Sequence, residues 1–170
     1  NATLSGNVTY KRGTGAFDAM RAPEEQFGEA YTHVGILLAN ASLQVPFKVG
    51  QQNLQYLAEW RMQSSNKPLT PQDRFSIGNR YTVRGFDGEQ TLMGDQGFLV
   101  RNELSGSIPK LPMQWYAGID YGEVGGRTTR YPNPLLGTSL LGSVIGLRGQ
   151  ALKSISYDVF VGAPLKKPNH

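Results

Sequence analysis

Asn53-Leu54-Gln55-Tyr56-Leu57-Ala58-Glu59-Trp60-Arg61-Met62-Gln63 is a run of strict two-residue alternation. Leu54, Tyr56, Ala58, Trp60 and Met62 fall on one side, and Asn53, Gln55, Leu57, Glu59, Arg61 and Gln63 on the other. Successive side chains of a β-strand point to opposite faces, so this segment predicts a strand with one apolar and one largely polar face. It is about twice the usual 5–6 residues of a soluble strand. Strands of about 9–11 residues are the length that crosses a bilayer when tilted.

The same rhythm spreads outward from this segment. Between Tyr31 and Phe47, Leu37, Ala39, Ala41, Leu43, Val45 and Phe47 alternate with Asn40, Ser42 and Gln44. Between Met113 and Val124, Met113, Trp115, Ala117, Ile119 and Tyr121 oppose Gln114, Tyr116, Gly118, Asp120 and Gly122. Ile155, Tyr157, Val159 and Val161 oppose Ser156, Asp158 and Gly162. Gly97–Ser105 and Ser139–Gln150 follow the pattern more weakly, and Thr3–Arg12 predicts a first strand. Helical periodicity is nearly missing. The expectation is an all-β antiparallel chain of about seven strands.

The connections come in two sizes. Phe47–Gln52, Gly106–Met113 and Ala151–Ile155 are short, whereas Gly13–Ala30, Ser64–Gly97 and Glu123–Thr138 are long and rich in Gly, Pro and charge. Short and long turns alternate, as in an up-and-down barrel with one trim rim and one elaborate rim. Tyr31, Phe47, Trp60 and Tyr121 near strand ends suit an interfacial aromatic girdle. A soluble β-sandwich also alternates, and pattern alone leaves both architectures open. They differ in one respect: a sandwich packs its apolar faces together, and a barrel turns them outward.

The 170 residues predict one domain over 1–170, without an internal boundary. Cysteine is absent, which excludes disulfides and Cys-based metal sites. The net charge of +4 is scattered, without the basic stripe that nucleic-acid binding needs. No stretch of about 18 apolar residues predicts a transmembrane helix. The chain opens on Asn1, which reads as an internal piece of a longer protein. No Gly-x-Ser-x-Gly or phosphate-binding Gly loop is present, and His33 and His170 lack metal-ligand spacing, so no enzyme, cofactor, metal or nucleotide is expected.

The candidate site begins in the long polar stretch from Ser64 to Gly97, which holds few obvious core residues. Uncovered loops of this length are uncommon unless functional or disordered. It carries Val83-Arg84-Gly85-Phe86, where the Gly permits a tight turn and the guanidinium can project from the loop tip. Downstream, Tyr116-Ala117-Gly118-Ile119-Asp120 puts a carboxylate on the polar side of a strand. Arg84 and Asp120 form a candidate latch; from the residues alone, an exposed hairpin arginine and an ordinary wall aspartate are the better explanation. Arg101 and Glu103 share a face with Leu99 and Ser105 and are candidate pore-lining groups. Gly118 leaves room for a loop backbone, and Tyr116 is placed to stack on the arginine. Asp87, Glu89 and Asp95 cluster in the loop and read better as solvated charges than as a cation site.

Phe75–Glu103 and Tyr116–Gly122 resemble the two-partner secretion (TpsB-type) transporters of the Omp85 superfamily. The resemblance rests on Val83-Arg84-Gly85-Phe86, on Gly97-Phe98-Leu99-Val100-Arg101-Asn102-Glu103-Leu104, on Tyr116-Ala117-Gly118-Ile119-Asp120, and on the ending Gly162-Ala163-Pro164-Leu165-Lys166-Lys167-Pro168. It implies about seven transmembrane strands of a 16-stranded barrel in the bacterial outer membrane, without the POTRA domains and the last strand. It further implies that residues 64–97 form an extracellular loop folded into the lumen, with Arg84 held by Asp120. The implied partners are a secreted TpsA-type exoprotein (a haemolysin, adhesin or contact-dependent inhibition toxin) and outer-membrane lipid. Two alternatives stay open at this point: a BamA- or TamA-like assembly factor, and a soluble secreted β-sandwich that binds glycans.

Overall fold

The computed structural model describes the chain except Ala19, Asp87, Glu89, Gln90 and residues 127–136, 153–154 and 167–170. Seven long antiparallel strands form one sheet: β1 (Thr3–Arg12), β2 (Gly35–Val49), β3 (Gln52–Ser65), β6 (Gln96–Ser107), β7 (Met113–Gly125), β8 (Ser139–Leu152) and β9 (Ile155–Lys166). Each pairs with its neighbour in chain order, so the sheet is a meander. The connection between β3 and β6 contains a small hairpin of its own, β4 (Phe75–Ile77) with β5 (Leu92–Gly94). The strands have 10 to 15 residues, enough to meet the ~9–11 a tilted strand needs to cross a bilayer.

Register carries the alternation from strand to strand. Arg61 lies opposite Leu99, Glu59 opposite Arg101, Arg101 opposite Asp120, and Asp120 opposite Gly142. A one-residue slip would exchange the two faces, so the pattern of each strand pins the pairing of the next. Leu54, Tyr56, Trp60, Ile119, Ile145, Val159 and Val161 share the face away from the loop. Ile145 remains 64% exposed and Val161 72%, so no second layer covers them among the described residues. The sandwich alternative requires these side chains to meet in a core, and it is set aside on this observation.

The core lies on the other face. Ile77, Val83 and Leu92 from the long connection are buried against Leu99, Val124 and Leu140 of the sheet, with Phe75 and Phe86 at the edge. This corrects the reading of residues 64–97 as a stretch with few core residues. Its apolar side chains are isolated in sequence and show no period, so only tertiary docking gathers them. Each fully buried aliphatic side chain contributes about 1.5–3 kcal/mol relative to exposure, enough together to hold the loop on the wall. A second cluster of Val34, Ile36 and Leu69 joins the foot of the same connection to β2. There the expected start of the strand at Tyr31 is also corrected: β2 begins at Gly35, and Tyr31 makes an isolated bridge to Leu69.

Candidate functional site: a loop arginine held by two wall carboxylates

The loop reaches the wall on a braced framework. At its foot, Asp95 Oδ1 accepts a hydrogen bond from the Leu69 backbone N–H at 2.8 Å and lies 3.7 Å from Arg74 Nε. Asp95 is buried and serves as a loop brace, which corrects its reading as a solvated charge. Asp87, Glu89 and His170 lie outside the described residues. Nearer the tip, Thr82 Oγ1 accepts from the backbone N–H groups of Gly78 and Asn79, closing a turn just before Val83. Hydroxyl-to-backbone bonds of this kind substitute for regular secondary structure in a short segment.

Arg84 follows that turn. Its Nε donates to Asp120 Oδ2 at 2.7 Å and its Nη2 to Asp120 Oδ1 at 2.8 Å, a bidentate fork. Its backbone N–H donates to the same Oδ2 at 3.0 Å. The remaining Nη1 donates to Glu103 Oε2 at 2.5 Å. Arg84 is 5% exposed and Asp120 is not exposed at all. Burial works against the charged guanidinium, but its hydrogen bonds to Asp120 and Glu103 outweigh that and hold its pKa above the ordinary arginine value. Removing one partner of a buried ion pair leaves an uncompensated charge and costs about 3–5 kcal/mol, a penalty for losing either side rather than the net worth of the pair.

Close approach is possible because the wall lacks side chains where the loop lies. A Cβ on Gly142 would sit 1.8 Å from the Arg84 carbonyl oxygen, and one on Gly118 2.5 Å from Arg84 Nη2. Gly85 turns the chain with φ +103°, a conformation that excludes most side chains, and its Cα rests against Gly162 of β9. Val83 is fully buried and Phe86 packs at the rim of the same cluster. The motif residues Val83 to Phe86 therefore dock on the wall formed by β6–β9.

The supporting residues divide. Glu103 bridges two arginines, accepting from Arg148 Nη1 at 2.8 Å as well as from Arg84. Arg101 pairs with Glu59 at 3.2 Å and stands 3.9 Å from Asp120. Tyr116 faces the site as expected, but the arginine over its ring is Arg148, at 5.1 Å, and not Arg84. The guanidinium of Arg84 is drawn toward the carboxylates instead, where charge-assisted hydrogen bonds exceed what a ring face offers. The Tyr116 hydroxyl donates to Asp158 at 2.6 Å.

Sequence reasoning missed Arg148, Asp158, Gly142 and Gly162. Asp158 and Gly162 sit on the polar side of an alternating strand, and their connection to the site needs the register of β8 with β9. A readable signal did exist: Gly118 and Gly122, and Gly142 and Gly146, stand four residues apart on one face of two neighbouring strands, which opens gaps between the side chains there.

Comparison with known proteins agrees with this fold. The family model for haemolysin secretion/activation protein ShlB/FhaC/HecB matches residues 1–149. The chain is 37% identical over 175 residues to the outer membrane transporter CdiB-2 of Burkholderia pseudomallei (strain 1026b), covering 99% of this chain and 29% of that protein. The structure superimposes on CdiB from Acinetobacter baumannii with a TM-score of 0.80 at 36% identity, covering 99% of this chain and 28% of that one. CdiB from Escherichia coli gives a TM-score of 0.84 at 25% identity, covering 98% and 30%. The chain therefore spans about three-tenths of the length of the relatives it matches. With the meander, the outward apolar face and these matches in agreement, the chain belongs to the ShlB/FhaC/HecB family of haemolysin secretion/activation proteins, β-barrel proteins of the bacterial outer membrane.

Proposed function

We propose that this chain contributes the wall and the gating loop of a pore through which a secreted partner protein, of the contact-dependent inhibition or haemolysin type, leaves the cell. Residues 64–97 are the extracellular loop, folded into the lumen, and Arg84 with Asp120 is the latch that seats it. The observation that carries the reading is the three hydrogen bonds from Arg84 to one fully buried carboxylate. A loop joined to the wall by an ion pair has two discrete positions, on and off, and that is what a gate requires. Nothing in the site suggests hydrolysis or group transfer; the residues position a segment. Export draws its energy from elsewhere, in the folding of the partner outside the cell.

The test is export by the full-length protein carrying Arg84→Ala or Asp120→Ala. The expected result is loss of most of the secreted partner from the medium while the barrel still inserts and keeps its heat-modifiable migration. Normal secretion by both variants would refute the latch.

A further inference from the structure

Release of the latch poses an electrostatic problem. When Arg84 leaves, Asp120 loses the three hydrogen bonds it accepts from that residue, and its carboxylate needs another partner. Glu103 is better placed, because Arg148 already donates to its other oxygen at 2.8 Å. A charge without a partner is costly to the extent that it stays out of water, so a wall that offered Asp120 nothing else would favour the docked loop.

Arg101 stands beside Asp120 with capacity to spare. The two residues are direct cross-strand partners on β6 and β7. Arg101 Nη1 is committed to Glu59 at 3.2 Å, but its Nε is buried, lies 3.9 Å from Asp120 Oδ2 and has no hydrogen-bond partner among the described residues. A buried N–H left unbonded is itself unfavourable and is rarely retained without a reason. A shift of about 1 Å would bring it to hydrogen-bond distance. The oxygen it would reach is the one that accepts both Arg84 Nε and the Arg84 backbone N–H in the docked state.

We infer that Arg101 is a stand-in counterion, a positioning residue that takes over Asp120 when Arg84 withdraws and so makes the latch reversible. In the docked state its Nε waits at 3.9 Å because Oδ2 is already occupied. In the released state it forms the bond that Arg84 gave up, and Asp120 stays paired. The role rests on the proposed latch, but it concerns the ease of release rather than export itself.

The sign of the effect separates this role from a structural one. Val83 is fully buried beneath the loop and the chain holds no cysteine, so Val83→Cys reports loop release by maleimide labelling of the full-length protein in outer-membrane vesicles. Arg101→Ala is expected to slow labelling, by about ten- to hundredfold, the value of one hydrogen bond to a charged group. Arg101→Lys, which keeps a cation, restores part of the rate. If Arg101 only braces the wall through Glu59, the same substitution loosens the site and labelling speeds up or stays unchanged; either overturns the inference. Thermal melting gives an independent reading. Arg84→Ala with Arg101→Ala should lower the melting temperature by more than the sum of the single losses, and adding Asp120→Asn should remove the excess. Additive shifts, or an excess that survives Asp120→Asn, count against the stand-in. Failure of Arg84→Ala to alter export would refute the latch while leaving this melting cycle interpretable.

Discussion

Two long connections of this chain are similar in composition and opposite in behaviour. The one between β1 and β2 and the one between β3 and β6 are both rich in Gly, charge and isolated apolar residues. In the first, Phe17, Met20 and Phe27 are largely exposed, and burial is found at its end, at Ala30 and Val34. In the second, Ile77, Val83 and Leu92 are buried, and an arginine is shared between two carboxylates. The loops themselves do not account for the difference. The second loop lies over strands that present glycines, aliphatic side chains and carboxylates in register. Docking is a property of the wall as much as of the segment that docks.

That comparison can be broken most severely at the wall. Gly142→Ala places a methyl group where the Arg84 carbonyl now lies, and backbone cannot yield as a flexible side chain would. The second loop should then behave like the first: proteolysis within residues 78–86 of the intact barrel should become rapid, with strand content unchanged by circular dichroism. Resistance equal to that of the parent protein would show that the glycine gap is not what seats the loop.

A smaller effect is expected from the loop's own packing. Ile77→Ala removes a fully buried side chain and should weaken docking by about 2–5 kcal/mol, the range for such truncations, unless the loop undocks first and caps the loss. Denaturant titration of the loop's protease resistance measures it. The smallest effect belongs to the first connection. Phe27→Ser, at an exposed site, should change barrel stability by within about 0.5 kcal/mol in a thermal melt. A larger loss there would mean that the first connection is also docked, and the contrast between the two would fail.

Much of this was legible in order. Strand boundaries at Thr3–Arg12 and the short turns at Phe47–Gln52 and Gly106–Met113 agree closely with the folded chain, because a period of two and turn residues are local properties. Arg84 and Asp120 were singled out, but from residue pattern alone they were no more than two charges 36 positions apart. It was the likeness to a known family that joined them. The docked hairpin β4–β5, the buried Ile77 and Leu92, and the partners of Tyr116 were not legible, since none leaves a repeating signature.

The sequence by itself determined which face of each strand is apolar, how long the strands are and where the chain turns, because alternation and turn chemistry act between near neighbours. Tertiary structure alone decided that the long connection folds back onto the polar face, and that Arg84, Glu103, Asp120 and Arg148 meet there. It also decided which arginine takes which carboxylate. The physical reason is that these outcomes depend on register summed across several strands, which lines up Arg101 with Asp120 and Asp120 with Gly142. No segment of sequence contains that sum until the sheet has formed.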